Sequence, residues 1–355
     1  MKNIIVSVVF ILLLAGCEGV GSRAAPESKE FTVMVWNVQN LFDGEENGYE
    51  YAEFREEAGW TQEKYRARIV AISQAIGLTA DIAAIPDLIG LVEVENGGVL
   101  DDLCKGSLSK HEYRWTAFAN LPGSALGIGI LSRFPLKDAR AHSITAGKET
   151  APRPVLEVRV EPRGKPLVFL LCHWKSKLGN DTEALRRASA RVIQRRLCEL
   201  KKTEPETPVI VMGDLNENYD EFYRELQYSA LLPDDPDAVG LAEQSFLGRD
   251  FLVLSAKKPP RSLYVENIPA LYSPWEEELE SGSYYYKGNW ETIDHFLLSE
   301  GAFNDSGWEY SGFRVLNEEP FANSKGTPNI YAIKSGKGLS DHLPLLLFLR
   351  DLSGD

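Results

Sequence analysis

Cysteine is scarce in this sequence, and its few copies do not form a metal-binding pattern. The 355 residues contain four cysteines and five histidines. Structural zinc sites usually hold cysteines and histidines in pairs at short spacing, and no such pair occurs here. Away from the amino terminus, Cys104, Cys172 and Cys198 can form at most one disulfide, and buried thiols are the expected state of most of them. The sequence therefore gives no indication of a zinc module or a disulfide-rich scaffold.

An excess of positive charge is also missing. There are 38 Lys and Arg residues against 52 Asp and Glu residues, which gives a net charge of −14. Proteins that hold long nucleic acids through bulk charge are basic, because neutralised phosphates supply much of their affinity. This mode of binding is excluded, and any recognition of phosphate must depend on a metal ion and a local group of basic side chains.

Long apolar runs are absent after the amino terminus. The run from Ile4 to Leu14 follows Lys2, is too short to span a bilayer, and ends in Leu14-Ala15-Gly16-Cys17. This ending resembles the lipobox of bacterial lipoproteins, which implies cleavage before Cys17 and acylation of that residue. An ordinary secretory signal with a chance cysteine is the alternative. With either signal we expect an extracytoplasmic protein, and a lipobox adds a lipid anchor in a bacterial membrane.

The chain divides into three parts by composition. Residues 1–17 are the predicted signal and lipobox, and residues 18–29 are small, polar and proline-containing, as in a flexible tether. The remainder, residues 30–355, contains no internal repeat and no further linker. Its length and the chain's 44% hydrophobic content are typical of a globular domain with a sizeable core. We therefore expect one domain, and a monomer.

Short apolar runs alternate with amphipathic segments along this domain. Helices are predicted at 65–76, where Gly77 is expected to end the first one, and at 182–200. Irregular loops with short strands are expected over 232–290. Strands are predicted at 31–36, 88–94, 126–131, 155–160, 167–172, 208–212, 293–298 and 343–349. Many short strands with few long helices indicate a layered α+β sandwich.

Polar side chains interrupt or end several of these apolar runs. They are Glu93, His173, Asp214, Asn216, Asp294, His295 and the Ser340-Asp341-His342 turn before the last strand. Burying a carboxylate or an imidazole is costly unless the group is paired or binds a metal. One such residue is usually structural, but the repetition at strand ends favours a single shared site.

The order of these motifs resembles the endonuclease/exonuclease/phosphatase superfamily. This superfamily includes pancreatic-type DNases, exonuclease-III-like repair enzymes, bacterial sphingomyelinases and inositol-polyphosphate phosphatases. The resemblance runs from Phe31 to Leu349, and its motifs are Trp36–Phe42 (WNVQNLF), Gly90–Asn96 (GLVEVEN), Cys172–Lys177 (CHWKSK), Gly213–Asn216 (GDLN), Ile293–His295 (IDH) and Ser340–His342 (SDH). It implies a DNase-like, four-layer α/β/β/α sandwich with the site where loops of the two sheets converge.

The resemblance also implies a metal site. Glu93 matches the main metal carboxylate, and Asn37 and Asp341 match positions that support the metal or the phosphate. Mg²⁺ is the expected ion, with Mn²⁺ or Ca²⁺ as alternatives, because Mg²⁺ needs only one or two protein carboxylates and keeps several waters. The structural alternatives are an ion pair for Glu93 and a turn for Asn37.

The predicted reaction is hydrolysis of a phosphoester. By resemblance, His342 is the general base and Asp294 orients it, and a neutral imidazole suits this role near neutral pH. His173 matches the second histidine of the DNase branch, which binds phosphate or protonates the leaving oxygen. Asp214 and Asn216 match a pair that orients the nucleophile and donates a hydrogen bond to phosphate. A Gly-Asp-Leu-Asn turn is the structural alternative for this pair.

Two positions depart from the family pattern, and one lysine is added to the predicted site. Val92 replaces a common glutamine, and Gln39 stands where some repair enzymes have an acidic second metal residue. The number of metal ions therefore stays open. Lys175 is predicted to contact the substrate by supplying local positive charge, with help from Lys177.

The leading substrate class is nucleic acid or nucleotide. The aromatic run from Gly282 to Trp290 is typical of extracytoplasmic nuclease-type members, and its rings either stack on bases or belong to the core. Hydrolysis of phospholipids or inositol phosphates, as in sphingomyelinases, is the enzymatic alternative. A catalytically silent binding lipoprotein is the alternative from another class.

Overall fold

The computed structural model describes residues 15–16, 29–179, 182–225, 229–235, 250–260, 268–278 and 281–352. The strands in these ranges are β1 (Ala15–Gly16), β2 (Glu30–Leu41), β3 (Leu88–Val94), β4 (Trp115–Ala119), β5 (Gly127–Ser132), β6 (Lys137–His142), β7 (Thr145–Ala146), β8 (Glu149–Thr150), β9 (Val155–Val160), β10 (Leu167–His173), β11 (Val209–Asp214), β12 (Leu231–Pro233), β13 (Leu252–Ser255), β14 (Ala270–Tyr272), β15 (Tyr284–Tyr286), β16 (Asn289–Glu291), β17 (Asp294–Leu298), β18 (Trp308–Val315) and β19 (Leu345–Asp351). The α-helices are α1 (Gln62–Ile82), α2 (Gly97–Lys105), α3 (Thr182–Thr203) and α4 (Glu221–Glu225). Short 3₁₀ turns lie at Ala52–Phe54, Glu56–Ala58, Ser107–His111, Pro162–Gly164, Pro274–Glu277 and Glu300–Ala302.

Most strands form two large mixed sheets. The first has the order β1-β4-β5-β3-β2-β19-β18, and the second has the order β12-β13-β14-β17-β11-β10-β9-β6. Two small hairpins, β7-β8 and β15-β16, complete the pairing within the described ranges. The central strands are almost continuous apolar runs, as expected for strands covered on both faces.

The two sheets pack face to face around the main core. Val33 and Leu91 of the first sheet share one buried cluster with Phe169, Leu171 and Met212 of the second. Contact between the sheets is close at Gly90, where an added Cβ would lie 2.8 Å from the Met212 Cε atom. Side chains larger than glycine therefore do not fit at this point without displacement.

Helices cover the outer face of each sheet. Helices α1 and α2 bury Ile72 and Leu100 in the same cluster as the first sheet. Helix α3 buries Leu185 and Ile193 against the outer face of the second sheet, in a separate cluster that includes Leu170. The layers are therefore helix, sheet, sheet and helix, and the predicted four-layer α/β/β/α sandwich is confirmed.

The boundaries of several elements differ from the sequence prediction. Gly77 does not end α1, which continues to Ile82. The cost of a helical glycine, about 1 kcal/mol, is offset by packing of the helix against its neighbours, and a side chain there would approach the His111 ring at 3.5 Å. Strand β2 does not end at Asn37 but continues through a register shift to Leu41. This extension places further polar residues beside the first sheet's carboxyl edge.

Three cysteines and two residues of the predicted signal lie in the described ranges. Cys172 and Cys198 are free thiols, and no disulfide joins two of the described residues. No helix of the described ranges is long and apolar enough to cross a membrane. Cys17 lies outside the described residues, whereas β1, two residues of the predicted signal, pairs with β4 at a sheet edge. Cleavage before Cys17 would remove that pairing and leave β4 as the edge strand.

Candidate active site

The register of the second sheet places three predicted residues side by side. His173 ends β10 and pairs with Asp214 at the end of the parallel strand β11. Asp214 pairs in turn with Asp294, the first residue of the antiparallel strand β17. All three are buried. The strand ends therefore bring together one imidazole and two carboxylates, although His173 and Asp294 are 121 residues apart along the chain.

The first sheet adds an amide and a third carboxylate. Asn37, near the end of β2, is 1% exposed. Its Nδ2 atom donates to Glu93 Oε1 at 3.2 Å and to Asp214 Oδ2 at 3.0 Å. Because Glu93 belongs to β3 and Asp214 to β11, this one amide joins the carboxyl ends of both sheets.

Several of these residues have a left-handed backbone. The φ angles are +51° at Gln39, +55° at Asn40, +65° at Glu93 and +54° at Asn216. This conformation is costly for residues other than glycine, and in folded proteins it is often retained at functional sites. At Asn40 it directs the backbone N–H to Glu93 Oε2, at 2.8 Å. Both carboxylate oxygens of Glu93 therefore have a fixed donor.

Arg68 of α1 stabilises this unusual backbone. Its guanidinium is buried, donates to the carbonyl oxygens of Val38 at 2.6 Å and Asn40 at 2.7 Å, and also donates to that of Gln39. The same group lies 3.9 Å from the centroid of the Tyr331 ring. This role is not visible in the sequence, because an arginine in an amphipathic helix normally indicates a solvated face.

His342 and Asp294 form a buried dyad. His342 Nδ1 lies 2.7 Å from Asp294 Oδ2, and the His342 backbone is held by the Ser340 hydroxyl, which accepts from its N–H at 3.1 Å, and by the Trp36 indole, which donates to its carbonyl at 3.0 Å. Burial opposes protonation of the imidazole, but the Asp294 carboxylate outweighs it and raises the pKa of His342 to about 10. The geometry fixes Nδ1 on Asp294 and leaves Nε2 to act on a ligand.

His173 is in the opposite electrostatic situation. Burial, and then the nearby charge of Arg153, hold the pKa of His173 well below its ordinary value. Its Nε2 atom lies 3.8 Å from Glu93 Oε1 and 3.7 Å from Asp214 Oδ2. Burial, and then the charge of Asp294, raise the pKa of Asp214 to about 7. The surroundings therefore favour the protonated form of His342 and the neutral form of His173.

These groups face a cavity of about 310 Å³, within the range of roughly 300–1,000 Å³ that is common for ligand sites. Its lining consists of Glu93, His173, Ser176, Lys177, Leu178, Asp214, Asn216, Tyr284, Tyr286, Glu291, Ile293, Asp341 and His342. Asn216 is fixed there by its amide, which donates to the Trp174 carbonyl at 3.2 Å. The cavity thus brings together most of the predicted site residues from both sheets.

The predicted lysine lies beside the cavity. Lys177 lines the cavity and forms an ion pair with Glu221. Lys175 is half-buried, and its charge contributes to the lowered pKa of His173. Positive charge is therefore supplied by this segment, with Lys177 rather than Lys175 on the cavity wall.

Arg153 is a second basic residue that the sequence analysis missed. Its side chain donates from Nε to the His173 carbonyl at 3.3 Å and from Nη2 to the Trp174 carbonyl at 3.3 Å. Burial lowers the pKa of Arg153, while the charges of Glu93 and Asp214 oppose that effect. No signal in the Pro-Arg-Pro segment around residue 153 distinguishes it from a surface cation.

The carboxylates of this site suit a hard divalent cation. Glu93, Asp214 and Asp341 all face the cavity, and oxygen ligands are those that Mg²⁺, Mn²⁺ and Ca²⁺ prefer. Ligand atoms of Asp214, Asp294 and His342 also lie within 4.8 Å of one another. The short contact between Asp294 and His342 occupies two of those atoms, whereas the carboxylates of Glu93 and Asp341 line the cavity outside this contact and can serve as metal ligands.

Comparison with known proteins supports a family assignment. Residues 32–230 match the model of the Endonuclease/Exonuclease/phosphatase family. Members of this family are phosphodiesterases, nucleases and phosphatases that generally depend on a divalent metal. No functionally curated protein matches this chain in sequence.

Solved structures share the fold at low sequence identity. TDP2 from Caenorhabditis elegans is 14% identical, with a TM-score of 0.53, over 90% of this chain and 97% of that one. The human Nocturnin catalytic domain, solved with a bound sulfate anion, is 16% identical, with a TM-score of 0.52, over 91% of this chain and 93% of that one. TDP2 from D. rerio, solved with a single-strand DNA product, is 16% identical, with a TM-score of 0.52, over 91% of this chain and 100% of that one. At these identities the comparison establishes the fold.

Proposed function

This chain belongs to the endonuclease/exonuclease/phosphatase family, and we propose that within it the protein is a divalent-metal-dependent phosphodiesterase acting on nucleic acid or nucleotides. The observation that carries the proposal is the convergence of His342, Glu93 and His173 on one cavity, where Asp294 holds His342 and Asn37 donates to Glu93. The single-strand DNA product held by the D. rerio TDP2 structure supports this substrate class.

The proposed nucleophile is a water molecule activated by His342. Asp294 holds the imidazole by Nδ1, so that Nε2 accepts the proton as the water attacks phosphorus. The imidazolium that results is stabilised by the Asp294 charge, which raises the pKa of His342. The dyad therefore both orients the base and retains the proton it receives.

The phosphoryl group and the leaving oxygen are assigned to the other residues of the cavity. Glu93, with Asn37 and Asp341, would hold a divalent cation, which would supply Lewis-acid stabilisation of the phosphoryl charge. Asn216, which lines the cavity, is assigned the hydrogen bond to a phosphoryl oxygen.

Protonation of the leaving oxygen is assigned to Asp214 and His173. Asp214 has a pKa of about 7 and lies 3.7 Å from His173. This pair therefore has a proton available near neutral pH for the departing oxygen.

The test is hydrolysis by residues 18–355 and by the His342→Ala variant. The substrates are short single-stranded DNA, plasmid DNA, bis-p-nitrophenyl phosphate and sphingomyelin, each with Mg²⁺ or with EDTA. We expect cleavage of the first and third substrates that needs the metal and is lost in the variant. Cleavage of sphingomyelin alone would replace nucleic acid by phospholipid as the substrate class. A folded wild-type protein that is silent on the whole panel would favour the binding-only alternative.

We also propose that the mature protein is extracytoplasmic and anchored through Cys17. The support is the order of Lys2, the apolar run and the lipobox-like Leu14–Cys17 segment. Mass spectrometry of the amino-terminal peptide tests this proposal directly. Acylated Cys17 in the wild type and a soluble product from Cys17→Ser are expected, and an unmodified chain that begins at Met1 would contradict it.

A further inference from the structure

An aromatic ladder forms one wall of the cavity. The centroids of the Tyr284 and His342 rings are 4.6 Å apart, with an interplanar angle of 30°. The centroids of the Tyr284 and Tyr286 rings are 6.0 Å apart, with an interplanar angle of 16°. Tyr284 is also bridged to His342 through the backbone. The ladder therefore has three rings and two ring–ring contacts, one tilted and one stacked, and it runs from the proposed base to the cavity mouth.

The last step of this ladder is open to solvent. Tyr286 is 46% exposed although it lines the cavity, and Leu178, which lines the same cavity, is 77% exposed. Exposed apolar side chains at the mouth of an otherwise acidic cavity need an explanation, because the core of the protein does not use them. By contrast, Tyr285 of the same hairpin packs edge-on against Trp290 at 5.0 Å.

We propose that Tyr286, backed by Tyr284, is a stacking subsite for a nucleobase of the substrate. The proposal rests on the proposed function, since the base must belong to the nucleotide whose phosphate meets His342. Planar bases stack on aromatic faces regardless of sequence. This cavity of about 310 Å³ suits one unpaired nucleotide, whereas a duplex keeps its bases stacked on one another.

A quaternary ammonium group is the other ligand that aromatic faces commonly bind. Here the Lys287 ammonium already lies 5.0 Å from the centroid of the Tyr286 ring. A second cation at this ring would meet like charge, whereas a neutral base beside a phosphate would not. The local charge therefore favours a nucleotide over a choline headgroup.

The test compares two substrates with the same leaving group. Thymidine 5′-(p-nitrophenyl phosphate) carries a base, and methyl p-nitrophenyl phosphate does not. We expect Tyr286→Ala to raise KM for the thymidine ester by about 5- to 100-fold, the range that corresponds to loss of one base–aromatic stack. KM for the methyl ester should stay unchanged. Tyr286→Phe, which keeps the ring, and Tyr223→Ala, which removes an exposed tyrosine of α4, should both keep wild-type values.

Equilibrium binding separates failure of the subsite from failure of the proposed function. Thymidine 5′-monophosphate, phosphocholine and inorganic phosphate are titrated into wild type and Tyr286→Ala. Tighter binding of the nucleotide than of phosphate, lost in the variant, supports the subsite even if neither ester is hydrolysed. Equal effects on both esters, equal nucleotide binding by the two proteins, or preferred binding of phosphocholine would overturn it.

Discussion

Replacement of Asp294 by asparagine tests the dyad at the centre of the proposed mechanism. The carboxylate is 1% exposed, lies 2.7 Å from His342 Nδ1, and has a second oxygen without a hydrogen-bond partner among the described residues. Asparagine has the same shape and still offers an oxygen to the imidazole, so packing should change little. What disappears is the negative charge that favours the imidazolium.

The expected loss of activity follows from the role of the base. A positioned general base is worth about 10²- to 10⁴-fold in rate. Asp294→Asn keeps the imidazole, but an amide can present either its oxygen or its NH2 group to Nδ1, so it does not fix the tautomer, and it does not stabilise the protonated form. We therefore expect kcat/KM at pH 8 to fall on the order of 100-fold. Because the two residues act as one unit, the double variant with His342→Ala should be no slower than His342→Ala alone.

The pH dependence has a definite sign. Only the neutral imidazole accepts a proton, so kcat/KM rises with pH through the pKa of His342. Asp294 raises that pKa, and its removal should shift the acidic limb of the profile to lower pH. The deficit of Asp294→Asn is therefore larger at pH 8 than at pH 5.

Stability should change in the complementary way. A histidine whose folded-state pKa is raised contributes stability that is full below the unfolded pKa of about 6.5 and is lost as pH rises through the folded value. For His342 that folded value is about 10. The free energy of unfolding of Asp294→Asn should thus fall below that of the wild type by roughly 1–2 kcal/mol at pH 6, and by less at pH 10.

Steady-state kinetics from pH 5 to 11 and urea unfolding at pH 6 and 10 measure both effects. The metal concentration must be saturating at each pH, so that metal binding does not shape the profile. An acidic limb at the same pH in wild type and variant would show that His342 is not the titrating base. A double variant much slower than His342→Ala would show that Asp294 acts through another group.

Three further predictions concern the metal site, the missed arginine and a distant ion pair. Glu93→Gln should weaken divalent-metal binding on the order of 100-fold or more, measured by activity and thermal shift against Mg²⁺ concentration; equal shifts in the two proteins would exclude Glu93 as a ligand. Arg153→Met should lower kcat/KM by about 10- to 100-fold and weaken inhibition by inorganic phosphate, with Arg153→Lys intermediate, and unchanged inhibition would make its role purely structural. Despite burial, hydrogen bonds from His142 and Arg196 hold the pKa of Glu157 at about 2, below the ordinary 4.5. Glu157→Gln should therefore cost about 3 kcal/mol of unfolding free energy at pH 7, and this difference should disappear as pH falls through 2; a difference independent of pH would refute the assignment.

The sequence predicts strands well where apolar residues are bounded by turn residues. Strands β3 and β9 have the predicted bounds, Leu88–Val94 and Val155–Val160. Prediction fails where tertiary contacts override local preference. Gly77 is compatible with α1 because the helix is packed on its neighbours, and the partly left-handed polar end of β2 is held by Arg68, which is remote in sequence.

The same distinction separates the predicted site residues from the missed ones. Glu93, His173 and Asp214 are visible in the sequence because a polar residue in an apolar run is unusual. Arg68 and Arg153 are invisible, because their surroundings in the sequence are those of ordinary surface cations. Only the fold shows that Arg68 is buried and Arg153 half-buried, and that each donates to backbone carbonyls beside a carboxylate-rich site.

The construction of the site explains why the whole sandwich is needed for it. Glu93 belongs to the first sheet and Asp214 to the second, and the Asn37 amide donates to both. Two carboxylates that share one amide donor repel each other unless donors or a cation lie between them. A divalent cation can therefore contribute to stability as well as to catalysis, by binding the folded state alone. If the metal raises the melting temperature of the wild type more than that of Asn37→Ala, the cation stabilises the fold at this site. An equal rise in the two proteins would show that the metal stabilises the fold elsewhere.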